Sequence, residues 1–73
     1  MFDFSKLVGL IIEKFGTRAA CAKAAGMSEA SLYRRLKGET PFTVDDVYAL
    51  CSPECLNLSA EEVPAYFFTL KVR

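Results

Sequence analysis

The stretch Glu29-Ala-Ser-Leu-Tyr-Arg-Arg-Leu-Lys37 holds the side chains of this chain best suited to chemistry with a partner. An arginine presents a planar fork of donors that matches two phosphate oxygens, or the O6 and N7 of a guanine. A lysine is a point charge for phosphate, and a tyrosine hydroxyl bonds phosphate or a sugar edge. Alanine leaves room for close approach and touches a thymine methyl, while glutamate accepts from a cytosine amino group. Arg18 and Lys23 add two more cations just upstream. Residues 16–38 therefore carry a net charge of +4, whereas residues 39–62 hold six acids and no base, although the 73-residue chain is neutral overall. Such segregation suits a molecule with one face turned to a polyanion and its acidic part turned away.

Other chemistries lack their residues. There is no histidine, no glycine-rich phosphate loop and no separated carboxylate pair suited to acid–base work. Asp45-Asp46 and Glu61-Glu62 read as acids at helix starts, where the dipole favours them. No enzyme and no cofactor are expected. Three cysteines, Cys21, Cys51 and Cys55, fall short of a four-ligand metal site, so they read as small buried apolar side chains and no metal is expected. The odd count suits a reducing compartment. The apolar run Leu7-Val8-Gly9-Leu10-Ile11-Ile12 is too short to span a bilayer and lacks the features of a signal peptide. A cytoplasmic protein with no membrane partner is expected, and no small-molecule ligand is evident.

Length allows one domain, residues 1–73. A chain so short has a thin stability margin, yet it is 52% hydrophobic with six Phe and three Tyr, which suggests that a partner subunit covers part of its apolar surface. Helical spacing of apolar residues divides the chain into five helices, making the fold class all-α. Asp3 caps a first helix with Phe4, Leu7, Val8, Ile11 and Phe15 on one stripe, and Gly16 stops it. Leu10 and Ile12 lie off the stripe, so this helix is either deeply buried or offers a second face to a partner. Thr17 caps an alanine-rich second helix that ends at Gly26. Ser28 caps a third, running to Leu36 or Lys37 and closed by Gly38. Thr43 and Asp46 form a capping box for a fourth helix, interrupted at Ser52-Pro53 and followed by a short turn from Pro53 to Leu56. Ser59 and Glu62 form a second box for a fifth helix disturbed by Pro64. Tyr66 to Arg73 reads as a last helical turn and a short extended tail.

Thr17 to Gly38 is thus helix, tight turn, helix. Ala22 sits four residues before Gly26, where bulk would force two helices apart. Met27 drops under the turn, and Leu32 and Leu36 anchor the third helix inward. At about 100° per residue, Ala30, Tyr33, Arg34 and Lys37 share an arc of roughly 100°, with Glu29 at its edge and both leucines elsewhere. This is the arrangement a major-groove reader needs. The candidate base contacts are Glu29, Ala30, Tyr33 and Arg34, with Arg34 the leading one. The candidate phosphate contacts are Thr17, Arg18, Lys23, Ser28, Arg35 and Lys37; Thr17 and Ser28 qualify because they stand at helix N-termini.

The segment from Thr17 to Gly38 resembles the Cro/repressor (XRE-like) helix-turn-helix family, through Ala22, Gly26, Met27, Ser28, Leu32 and Gly38. Asp3 to Leu7, Glu13 to Thr17 and Val63 to Phe68 are also similar to small phage Cro-like proteins, so the likeness covers most of the chain. It implies a five-helix domain of the lambda-repressor type, a homodimer, and control of transcription from a palindromic operator in double-stranded DNA. Three positions depart from the family pattern. Arg18 stands where a glutamine is usual, Arg35 where a second inward aliphatic residue is usual, and Cys51-Ser-Pro-Glu-Cys55 breaks the fourth helix. The rival expectation is a protein-interaction module, an antirepressor or partner subunit, that keeps the fold without binding DNA.

Overall fold

A computed structural model describes residues 2–70. Its five helices are α1 (Ser5–Phe15), α2 (Arg18–Ala25), α3 (Glu29–Leu36), α4 (Val44–Cys51) and α5 (Val63–Phe67). The fold is all-α; the described residues contain no strand, only one antiparallel bridge between Phe2 and Leu70. None of these helices is long and apolar enough to cross a membrane.

Local chemistry sets most helix ends. The Asp3 carboxylate accepts from the Ser5 amide (2.9 Å) and the Ser5 hydroxyl (2.7 Å) just ahead of α1, but the N-cap position falls on Phe4 and not, as expected, on Asp3. Gly16, at φ 79°, closes it by donating to the Ile12 carbonyl. Thr17 and Ser28 accept from the amides of Ala20 and Ser31. The Thr43–Asp46 box is complete in both directions. Each device satisfies an amide that a helix start leaves without an internal acceptor.

The core takes residues from every helix: Leu7 and Ile11, Cys21 and Ala22, Leu32, Leu50, and Phe67. Cys55 and Leu56 add to it from the turn after α4. Leu7 and Ile11 are one turn apart and fully buried, with Phe4, Leu10 and Phe15 packed beside them, so α1 buries one stripe while its opposite side stays exposed. Of its large apolar side chains, Ile12 is left exposed. Phe42 reaches into this centre from the loop between α3 and α4, edge-on to both Phe4 (5.1 Å) and Phe67 (5.3 Å). Such edge-to-face pairs are the favoured aromatic geometry.

Two further expectations need correction. Helix α5 begins at Val63, later than a box at Ser59 implies, and residues 60–62 form a turn. The Glu62 carboxylate does accept from the Ser59 amide (3.0 Å) and from the Ser59 hydroxyl (3.1 Å). The Glu62 amide, however, donates to the Ser59 backbone carbonyl (3.0 Å) and closes a turn, so the hydroxyl does not serve as a cap there. Pro64 then falls in the first turn of α5, where its missing donor costs nothing, and does not disturb it. Of the tail, Thr69 and Leu70 run beside residues 2 and 3, with the Asp3 amide donating to the Thr69 carbonyl (2.7 Å); residues 71–73 lie outside the described residues.

The turn between α4 and α5 follows the sequence closely. Ser52 ends the helix before Pro53, and the Leu56 amide returns to the Leu50 carbonyl (2.9 Å). Lys14 at the end of α1 donates to the Leu56 carbonyl (2.6 Å), tying this turn to the first helix. Because α4 stops at Cys51, Cys55 does not share its face. Its sulfur instead lies 3.7 Å from that of Cys21 in the core. Burial, and next the neighbouring Cys55, push the Cys21 thiol up to about 12, so both sulfurs behave as packed thiols. All three cysteines are free.

Candidate nucleic-acid interface

The geometry of α2 and α3 depends on a few small residues between them. Gly26 takes a left-handed conformation (φ 76°, ψ 25°) and its amide donates to the carbonyls of Ala22 and Lys23. The next amide, of Met27, also returns to Ala22 (3.0 Å). Two consecutive amides thus close α2, and α3 starts three residues later. Ala22 is buried where the helices meet, and its small side chain lets them approach closely. Met27 is half-buried against the core beneath the turn.

With Leu32 fully buried and Leu36 half-buried, α3 can show only one side to solvent. That side carries Glu29, Ala30, Tyr33, Arg34 and Lys37, all exposed. Arg34 makes no side-chain hydrogen bond or ion pair among the described residues, so its fork of donors is available. Arg18, at the start of α2, places its guanidinium 5.1 Å from the Tyr33 ring centre, and the Lys37 ammonium lies 5.2 Å from the same ring. Two helices therefore contribute to one surface: a phenol flanked by two cations, with Arg34 and Ala30 alongside. Cation–ring attraction of this kind holds long side chains near one position without neutralising them. Lys23 is exposed on α2.

Thr17 and Ser28 occupy the helix starts as expected, and their hydroxyls serve as caps there. Lys37 also pairs with Glu39 (3.0 Å) at the surface. The hydrogen bond that the ammonium donates to the Glu39 carboxylate, and then the charge of Glu39, hold the lysine above its usual value. A pair this exposed is weak and yields readily to a competing anion.

Arg35 is where the sequence reading fails. Its guanidinium turns away from the outer face and donates to Asp46 of α4 (2.5 Å) and to the Ser31 carbonyl (3.1 Å), with side chains only 17% and 16% exposed. It is not placed to reach a phosphate. Its position between Leu32 and Leu36 is the signal that was available: a charged residue on the inward edge of a helix needs a partner from the next element. Asp46 serves twice, as the capping-box acid and as that partner. Burial alone would raise its carboxyl, but the Thr43 amide, Arg35 and the Thr43 hydroxyl outweigh burial and hold it below the usual carboxylate range. The role of Glu39 and the joining of Arg18 to Tyr33 also went unread, because both depend on how two elements meet.

The fold and this surface define a small five-helix domain with a helix–turn–helix unit whose outer face is basic and aromatic. The chain belongs to a family described as a protein of unknown function, DUF739, whose model matches residues 1–70. No curated protein matches the chain.

Proposed function

We propose that the protein is a cytoplasmic regulator of transcription that binds a specific site in double-stranded DNA as a homodimer, in the manner of the Cro/repressor family it resembles. The observation that carries this reading is the shared exposure of Ala30, Tyr33, Arg34 and Lys37 on one face of α3, joined there by Arg18. In this reading α3 lies in the major groove. Arg34 donates to a guanine, Ala30 packs on a thymine methyl, and Glu29 accepts from a cytosine amino group. Arg18, Lys23, Lys37 and the starts of α2 and α3 hold the backbone phosphates. A two-fold dimer would present its two α3 helices to half-sites about one duplex turn apart, and occupancy of a promoter would block it.

Selection of bound duplexes from a random pool is the direct test. A palindromic consensus, with log affinity falling steeply as log salt rises, is expected. Enrichment of no sequence, together with salt-independent binding, would leave the molecule a protein-interaction module. Within the site, Arg34→Ala should cost about 1–3 kcal/mol of binding and relax preference at one base pair per half-site. Lys37→Ala should weaken all sequences alike, and a changed preference would reassign it.

A further inference from the structure

The thiols have no part in the outer face of α3, yet two of them meet inside the fold. Cys21 of α2 and Cys55 of the turn after α4 stand 34 positions apart in sequence, and their sulfurs lie 3.7 Å apart. A second contact, from the Cys55 thiol to the Cys21 carbonyl (3.8 Å), holds the turn against the same residue. Sulfurs at that separation touch without bonding, whereas a disulfide needs about 2.05 Å. The gap to close is therefore about 1.7 Å, and each sulfur swings on its own Cα–Cβ bond. Cys21 is fully buried within a helix, while Cys55 is 7% exposed on a turn that can shift toward it. Cys51, half-buried, lines the apolar groove beside α4 and α5 instead.

We propose that Cys21 and Cys55 form a redox pair, which a peroxide closes to an internal disulfide stapling α2 to the turn after α4, and which a thiol reductant reopens. Cys55, the more accessible sulfur, meets the oxidant first. Its thiolate attacks one peroxide oxygen, so that an S–O bond forms and the O–O bond breaks. The departing hydroxide takes up the proton that the thiol released and leaves as water. The Cys21 sulfur then attacks the sulfenic sulfur of Cys55. An S–S bond forms, the S–O bond breaks, and the second oxygen leaves as water with the Cys21 proton. Two thiols and one hydrogen peroxide thus give one disulfide and two waters.

The surroundings set the pace of this reaction. Burial raises the Cys55 thiol and outweighs the Cys21 hydrogen bond, the Leu56 amide and the Lys14 charge, which all pull it down. Little thiolate is present at neutral pH, so the pair answers sustained oxidant and ignores a brief pulse. At rest both cysteines are free. Once closed, the loop from Cys21 to Cys55 contains all of α3 and α4. A cross-link of that span takes freedom from the unfolded chain and so favours the folded one. The inference stands apart from the regulator reading and needs no DNA.

The test exposes the reduced, folded full chain to millimolar hydrogen peroxide. Peptide mapping should join Cys21 to Cys55 and leave Cys51 outside the bond. The melting temperature should rise by roughly 10 °C or more and return to its starting value in dithiothreitol. The rate of closure should climb about tenfold per unit of pH while the thiols stay mostly protonated. The same chain oxidised in denaturant should spread its bonds over all three cysteines. Cys51→Ala should keep both the bond and the rise in melting temperature, and Cys55→Ala should lose both. Should Cys55→Ala fail to fold, mapping of the wild-type chain still decides. A bond that involves Cys51 in the folded chain overturns the proposal. So does a Cys55 sulfinic acid beside an intact Cys21 thiol, or a pair that stays reduced throughout. A Cys21–Cys55 bond that leaves the melting temperature unchanged or lower overturns the staple.

Discussion

Residues 16–38 and residues 39–70 build helices of similar length by different means. The first region closes each helix with its own neighbours: Thr17 with Ala20, Gly26 with Ala22, Ser28 with Ser31. Its buried residues Cys21, Ala22 and Leu32, with Met27, Leu36 and Arg35 beside them, tie it to the rest of the molecule, and its outer side is free to be basic. The second region has local devices too, the Thr43–Asp46 box first among them, but adds more distant partners. Phe42 packs on Phe4 and Phe67, Asp46 holds Arg35, and the Leu56 carbonyl takes the Lys14 ammonium. A surface meant to meet a variable partner is easier to keep on a unit that shapes itself locally. The surrounding region can then supply stability without touching it.

The comparison breaks first at Phe67. Its truncation to alanine should cost about 3–5 kcal/mol of folding stability by chemical denaturation, a large part of the whole margin for so small a domain. Once binding is measured on the folded fraction, its DNA affinity should be close to wild type; a changed base preference would show that the two regions are not separable.

Gly26→Ala probes the local side. The turn leaves open space around the added methyl, so the cost comes from the left-handed backbone alone, about 1–2 kcal/mol. A melting temperature equal to wild type would mean that α2 and α3 join in some other way.

Arg35→Ala tests the less exposed of the two ion pairs between the regions, Lys37–Glu39 being the other, and about 1 kcal/mol should be lost at neutral pH. The sign with pH follows from Asp46, whose carboxyl is held below its ordinary value near 3.8. Stability from this group is complete above that value and disappears as pH falls through the lower native one. Wild type should therefore lose stability below about pH 4 more steeply than Arg35→Ala does, and parallel acid limbs would remove Arg35 from the account. Gly9→Ala should have the smallest effect and the opposite sign. Gly9 lies mid-helix in α1 with nothing within 4 Å of an added Cβ, so a gain of about 0.5–1 kcal/mol is expected by thermal melting.

The same contrast decides what could be read from the sequence. Helices α1 to α4 were legible because their start and stop signals act within three or four residues, and the outward face of α3 follows from periodicity alone. The start of α5 was misread, since a Ser–x–x–Glu spacing does not reveal whether the Glu62 amide will take the serine hydroxyl or the serine carbonyl. Arg35 was misplaced for a related reason. Its neighbours in sequence make it part of a basic cluster, whereas its neighbour in space is an acid eleven positions on. The apolar groove beside α4 and α5 was visible only as an excess of phenylalanine. Which of those rings are covered is a property of the assembled helices, and no window of sequence contains it.

The pairing of residues 2 and 3 with 69 and 70 joins positions nearly the whole described chain apart. Closing so long a loop costs several residues' worth of chain freedom and returns one bridge and one backbone hydrogen bond. That seam should form last as the protein folds and open first as it is warmed, so the Asp3 amide should exchange with deuterium well before those inside α1. Any segment spliced before Phe2 and any spliced after Leu70 would leave the molecule from the same edge, beside the groove. A short peptide joining Leu70 to Phe2 should therefore cyclise the domain with little strain.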